Sequence, residues 1–513
     1  MDSSHRLRFP VAALLGVLGV VAALGAGHLT AGLVEPAASP FLAVGNAAID
    51  LTPAAVKDFA VRTFGTSDKL VLLIGMAVVL GGLGVLAGAL SRRVSTPGQV
   101  LAIGLGLLGL VAVYTRPDVG QLGLLAPAAS LFAGLWTFRW LHGLALAAAA
   151  EDPAYGRASR RAFLRTSAGV AAGAGIAGIA GQLLGSRVDL EASRAGVARA
   201  LARTGPLPAT PPGSDFAADG TPAFRTPNAD FYRIDTALSV PRLPAEDWRL
   251  RVHGLVEREL TLTFDDLLRR PVVHRTITMT CVSNEVGGPY VSTATFTGVD
   301  LRELLLEAGV KPGADQLATT SEDGWTCGTP VAVLLEPDRG ALLAYGMNGE
   351  PLPLEHGFPV RLVTPGLYGY VGATKWLVDA ELTTFAEFSP YWIRRGWGER
   401  GPVKTQSRVD RPAPFAKVPA GRVVVAGTAW AQHVGVSTVE VRVDGGPWQR
   451  AELAAEAGVD TWRMWRTWFE LAPGRHTVEC RATDRSGQTQ TSARADVVPD
   501  GATGWHAVEF TVS

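Results

Sequence analysis

Over the first 190 residues apolar positions come in long unbroken runs; beyond them they come in short, periodic ones. Five runs approach the length needed to cross a membrane, about 20 apolar residues: 9–34, 70–90, 100–114, 122–149 and 163–184. The third is short and is expected to extend upstream toward Thr96. Downstream, 248–254 alternates as a strand does, while 264–270 and 299–309 carry helical spacing with Gly309 placed as a C-cap. Thr276, Ile277, Thr278, Met279 and Thr280 alternate polar and apolar. That pattern predicts a strand with two unlike faces, ending at Cys281 before a polar, glycine-containing loop. From Pro414 onward short strands follow one another at 422–430, 436–443, 462–469 and 476–482, with Asp444-Gly445-Gly446 as a hairpin turn. Such regular short strands indicate an immunoglobulin-like sandwich. The expected fold is therefore multi-domain. It comprises an α-helical transmembrane region (1–190), a linker (191–227), an α+β domain (228–413) and an all-β domain (414–513). Residues 203–227, rich in Pro, Gly, Thr and Ala, read as an extended tether.

Charge changes this picture through its distribution. Lys+Arg and Asp+Glu are both 47 in 513 residues, so no bulk pull toward nucleic acid is implied. Arg6 and Arg8 precede the first run, Arg92 and Arg93 follow the second, and Arg157, Arg160, Arg161 and Arg165 separate the fourth from the fifth. The positive-inside rule puts the N-terminus in the cytoplasm and everything after the fifth span outside. Ser159-Arg160-Arg161-Ala162-Phe163-Leu164 resembles the twin-arginine export signal, a route that carries folded proteins. No Ala-x-Ala site clearly follows, so the segment is expected to stay as an anchor. His28 and His142 lie near opposite ends of their spans, and no haem is expected. The three cysteines, Cys281, Cys327 and Cys480, make a poor disulfide framework. Cys327 and Cys480 read as buried structural residues, and taken alone so does Cys281.

Separated motifs reverse the reading of Cys281. In order they are Phe231-x-Arg233, Cys281-x-x-Asn284, Met347-Asn-Gly-x-Pro-Leu-Pro, His356-Gly-Phe-Pro-Val-Arg361 and Gly372-Ala-Thr-Lys375-Trp376. With them, 225–513 resembles the sulfite oxidase family of molybdopterin enzymes. The resemblance implies a molybdenum–molybdopterin cofactor and makes Cys281 the protein thiolate on the metal, a soft ligand suited to it. Arg361 and Lys375 would supply cations for the pterin phosphate, His356 a donor, and Ala373 and Thr374 backbone amides near an anion. Asn228, Phe231, Tyr232 and Arg233 match the segment at the cofactor and substrate pocket, with Arg233 facing substrate. Thr320 or Ser321 corresponds to a further pterin contact. One departure stands out: the family's active-site tyrosine aligns with Trp397, whose indole donates a hydrogen bond but has no phenolic acid–base function. That weakens sulfite as the substrate. Trp505-His506 near the C-terminus also matches the family, and His506 reads as structural.

These implications describe a membrane-anchored, extracytoplasmic oxidoreductase that moves an oxygen atom to or from a small substrate. Electrons would pass through a separate partner, a cytochrome or a quinone-linked protein, because the chain has no CxxCH. The all-β domain resembles the family's dimerisation domain and implies a homodimer. The alternatives are a sulfoxide reductase using the same cofactor and a non-catalytic, membrane-tethered binding module.

Overall fold

The computed structural model describes residues 6–53, 67–116, 118–149, 153–185 and 190–513, with isolated positions between 54 and 64 and only the backbone of 153–160. Ser159 and Arg160 of the export-like motif therefore lie outside the described side chains. Two compact units result: 1–189 with 236–240, and 190–235 with 241–513.

The first unit is helical. Its helices are α1 (Phe9–Val34), α2 (Pro40–Leu51), α3 (Asp68–Leu90), α4 (Thr96–Tyr114), α5 (Leu125–Ala149) and α6 (Pro153–Gly185). Among the described residues five helices are long and apolar enough to cross a membrane. The third starts at Thr96, as expected, with a proline in its first turn, where a missing N–H costs nothing. Small residues let α1 approach its neighbours. A Cβ on Gly16 would lie 1.9 Å from the Gly84 carbonyl of α3, and one on Gly88 1.8 Å from the Ala12 carbonyl of α1. Such close backbone approach gives the helices extensive van der Waals contact. The Gly88→Val variant is expected to lose about 1–3 kcal/mol of stability, as overpacked contacts do. An unchanged melting transition in detergent would contradict this packing. Both histidines in the apolar runs are engaged within the bundle. His142 Nε2 donates to the Ser91 carbonyl at 2.6 Å, and His28 Nδ1 lies 3.4 Å from Ser39 Oγ.

The second unit begins with α7 (Leu190–Leu201), which corrects the expected linker. Leu190, Val197 and Leu201 form one apolar stripe at helical spacing and are buried in the core of the mixed domain. Residues 203–227 have little regular structure but are not free throughout. Phe224 is buried, and Ala455 N donates to the Gly213 carbonyl at 2.8 Å.

The mixed domain contains β1 (Arg249–Gly254), β2 (Leu260–Thr263), β3 (Val272–Thr280), β4 (Val291–Asp300), β5 (Gln316–Ser321), β6 (Thr326–Pro330), β7 (Leu342–Met347), β8 (Glu350–Pro351), β9 (Arg361–Val363) and β10 (Leu377–Thr383). One sheet runs β2-β1-β10-β5-β6; the other runs β3-β4-β7-β8, with β9 on β7. Helices α8 (Phe264–Leu268) and α9 (Leu301–Ala308) fall where the periodicity put them. Thr263 and Asp266 form a capping box on α8, and Gly309 closes α9 in the left-handed region at φ +71°. On β3, Ile277 and Met279 enter the core and the threonines take the other face. That polar face is not wet: Thr278 and Thr280 are 2% exposed.

What covers it is the C-terminal β region. Its strands are β11 (Gln406–Arg411), β12 (Lys417–Val418), β13 (Gly421–Trp430), β14 (Val436–Val443), β15 (Gln449–Arg450), β16 (Glu452–Leu453), β17 (Arg463–Leu471), β18 (Gly474–Asp484) and β19 (His506–Val512). Two sheets, β11-β13-β17-β16 and β12-β19-β18-β14-β15, enclose a core that includes Val425, Val441, Trp465, Cys480 and Phe510. Trp462 N–H donates to Thr278 Oγ1 at 2.6 Å, and Gln432 Nε2 donates to Thr280 Oγ1 at 2.9 Å.

Candidate functional site

Cys281 follows the last residue of β3 directly and is buried. Its N–H donates to the Tyr290 carbonyl at 3.0 Å, and its own carbonyl accepts from Asn284 N–H at 3.0 Å. Asn284 Oδ1 accepts from Tyr290 N–H at 2.8 Å, so the asparagine closes the loop from inside. Burial raises the Cys281 thiol pKa, against hydrogen bonds from Ser283 and the charge of Lys375. A metal that takes this sulfur as thiolate must displace its proton.

A cation cluster is built around the turn 354–357. Arg361 opens β9 and its Nη1 donates to the His356 carbonyl at 3.1 Å. Lys375 Nζ donates to the Glu355 carbonyl at 2.9 Å and to Asp235 Oδ2 at 3.0 Å. Arg233 Nε donates to the same Asp235 oxygen at 2.9 Å. Two of these three cations, Lys375 and Arg233, thus share the Asp235 carboxylate. Burial brings Lys375 down to about 8, with Arg361 and Arg233 adding to the fall and Asp235 opposing it. Burial takes Arg361 down to about 10, with Tyr232 opposing. His356 is pushed down to about 3 by burial, then by Lys375 and Arg361. Its ring lies near the Asn228 backbone and meets Phe231 edge-on at 5.4 Å. Phe231 stacks on Tyr232 at 5.4 Å. The Tyr232 hydroxyl is held well above its usual range by burial, then by the Cys281 charge, with Arg361 opposing.

Several polar atoms here are buried without a protein partner: His356 Nδ1, Arg361 Nε, Ser321 Oγ, Asn284 Nδ2 and Trp397 Nε1. Unpaired donors beside an excess of buried cations are costly unless an anion with several acceptors completes them. A phosphate attached to a heterocycle meets that description. Among the described residues no group of three His, Cys, Asp or Glu could hold a metal ion. A metal at Cys281 would therefore need ligands that arrive with a cofactor, as a dithiolene does.

The comparisons agree with this chemistry. An oxidoreductase molybdopterin-binding domain model matches residues 237–392. Chicken sulfite oxidase is 30% identical over 321 residues, covering 53% of this chain and 70% of that protein. The chain belongs to the sulfite oxidase family of molybdopterin oxidoreductases. Mouse mitochondrial sulfite oxidase is 31% identical over 54% of this chain, and the match spans 59% of the mouse protein. The uncharacterized oxidoreductase YuiH of Bacillus subtilis is 37% identical over 155 residues, 74% of its length. The crystal structure of the sulfane dehydrogenase SoxCD from Paracoccus pantotrophus shares the fold, with a TM-score of 0.50 at 24% identity over 59% of this chain and 85% of that one.

Within this family frame, Phe231, Tyr232, Arg233, His356, Arg361 and Lys375 come together. Other expected positions behave differently. The Asn228 side chain turns to Met347 and Asn348, and its backbone faces His356. Thr374 Oγ1 is 2.6 Å from Thr319 Oγ1, so its hydroxyl is already engaged, and Ala373 lies beside it in the same loop. Of the two candidates on β5, Ser321 carries the orphan hydroxyl and Thr320 is half-buried. Arg233 is 38% exposed, and its charge is felt at His356 and Lys375. Trp397 is buried between Tyr370 and Trp392, in one apolar cluster with Tyr368 and with Val282, the neighbour of Cys281. Asp235, which ties Arg233 to Lys375, had no assigned role in the sequence; its signal was only its place two residues after Arg233. Tyr368, whose hydroxyl pKa is raised by burial and in part by the Cys281 charge, carried no motif at all.

The His356 ring makes acid stability a test of the pocket. Its folded pKa of about 3 lies below the ordinary 6.5. Between the two the unfolded chain binds a proton that the folded chain refuses. The contribution present above pH 6.5 is therefore lost as pH falls toward 3. The cofactor-free wild type is expected to lose melting temperature over that window more steeply than His356→Gln; equal slopes would contradict the assignment.

Proposed function

We propose that the protein is a membrane-anchored, extracytoplasmic molybdopterin oxidoreductase transferring an oxygen atom to or from a small substrate. The observation that carries this reading is the buried cluster of Arg361, Lys375 and His356 in the electrostatic neighbourhood of Cys281. Arg361 and Lys375 hold the pterin phosphate, His356 and Ser321 offer donors, and Cys281 ligates the metal. When bound, the cofactor supplies the two-electron chemistry, and the chain supplies binding, orientation and electrostatics. Tyr232, kept protonated by its surroundings, holds a hydroxyl proton beside the metal ligand. Apolar walls around Trp397 exclude water.

The anchor is read from the five apolar helices and the arginines flanking them; the compartment is read from the positive-inside rule and the twin-arginine-like segment. The C-terminal sheets form an immunoglobulin-like sandwich that pairs two copies of the chain. Electrons leave through a cytochrome or quinone-linked partner. A second substrate reading is reduction of a sulfoxide, because Trp397, aligned with the family's active-site tyrosine, has no phenolic acid–base function for sulfite. Molybdenum analysis of the purified chain, followed by parallel assays of sulfite oxidation and sulfoxide reduction, tests both. A chain without molybdenum or pterin sinks them together and leaves the binding-module reading.

A further inference from the structure

The loop that carries Cys281 is held from outside by the C-terminal sheets. Arg408 on β11 donates from Nη1 to the Gly288 carbonyl at 2.9 Å, and its Nε is fixed on Asp410 Oδ1 at 2.7 Å. Only 11% of that side chain is exposed. His506, the first residue of β19, lies against Gly287. A Cβ on Gly287 would come within 2.2 Å of His506 Nε2, and Gly287 has φ +81°. Glycine is what allows both the left-handed backbone and the ring's approach. Val409 N–H donates to His506 Nδ1 at 3.0 Å, which puts the ring proton on Nε2, toward the loop. Burial, then Arg408 and Arg494, hold His506 down to about 4, so the ring is neutral at neutral pH.

The strand before the loop is gripped in the same way. Thr278 N–H donates to the Asp460 carbonyl at 2.9 Å, and Thr278 O accepts from Gln432 Nε2 at 3.1 Å. The stem of the loop is thereby fixed at residue 278, and its far limb is fixed at Gly287 and Gly288.

We propose that Arg408 and His506 are positioning residues that fix the 281–290 loop, and with it the direction in which Cys281 presents its sulfur. This deepens the proposed function and rests on Cys281 being the metal ligand. It gives the C-terminal region a part in the active site separate from any role in pairing chains. Partners that orient a metal ligand typically change affinity or activity by about 10- to 100-fold when removed.

The test uses the full chain in detergent as wild type, Arg408→Ala, Arg408→Lys and His506→Ala. In cofactor-free samples, amide hydrogen exchange within 281–290 is expected to quicken by about tenfold or more in the two alanine variants, with β7 and β13 unchanged. Arg408→Lys, which keeps a donor, is expected to fall between. In molybdenum-loaded samples the Mo(V) paramagnetic resonance g-values shift and turnover falls by about tenfold or more. If a variant does not load, the rate of iodoacetamide alkylation of Cys281 in the cofactor-free chain replaces the spectrum. Unchanged loop exchange overturns the proposal. So does exchange rising equally through β13 and β17, or a faster loop with an unmoved spectrum or alkylation rate. The exchange arm needs no cofactor. A wild-type chain that binds no molybdenum therefore refutes the functional reading separately.

Discussion

Cys281→Ser is expected to abolish turnover while leaving the chain folded. The loss should exceed about 100-fold, the upper end for removing a group that merely supports a metal ligand. The reasoning is local. The backbone bonds of Cys281, to Tyr290 and from Asn284, are untouched by exchanging sulfur for oxygen. Ser283, two residues on, is the polar neighbour that acts on this side chain. The chemistry does change, because a hydroxyl is a hard, weakly acidic donor and a poor substitute for thiolate on a soft metal. Kinetics, molybdenum content and melting temperature should be measured together. A folded variant that keeps wild-type kcat would remove Cys281 from the metal.

Arg361→Met carries the second large effect, on cofactor loading. The methionine keeps the aliphatic stem but removes the guanidinium, whose carbon lies 5.8 Å from the centroid of the Phe296 ring. Breaking one side of a buried charge pair costs about 2–5 kcal/mol, which is roughly 30-fold to several thousand-fold in affinity. The cofactor-free chain should respond differently. There the buried guanidinium is disfavoured, its pKa brought down to about 10 by desolvation. Removing it loses the bond to the His356 carbonyl and the guanidinium's contact with the Phe296 ring, against which the relief of a buried charge counts, so the cofactor-free melting temperature should change little. Molybdopterin retained after size-exclusion chromatography, set beside melting curves of both forms, checks the pair. Equal loading in variant and wild type would mean that Arg361 does not hold the anion.

Much of the architecture was legible because local periodicity and tertiary burial agree. The alternation of Ile277 and Met279 gave β3, the i, i+3, i+4 leucines gave α9, and Gly309 gave its end. Asp444 at φ +52° and Gly445 at φ +69° form the turn that the Asp-Gly-Gly run called for. What was not legible was set by distant partners. The two unlike faces of β3 were legible, but not that residues from 430 onward cover the polar one. Helix α7 sits in the segment expected as a linker; only its three buried positions reveal the stripe. In the site, the residue types and their order along the chain pointed to an anion pocket beside a thiolate. The bridge from Asp235 to Lys375 spans 140 positions, and no spacing rule reaches that far. The diversion of the Asn228 side chain to Asn348 is hidden for the same reason.

The central claim is that Cys281 joins a pterin-borne molybdenum to this chain. X-ray absorption at the molybdenum edge, on the wild type and on Cys281→Ser reconstituted with cofactor, addresses it most directly. The account predicts one fewer sulfur neighbour at the metal in the variant. An unchanged sulfur count with molybdenum fully loaded would contradict it.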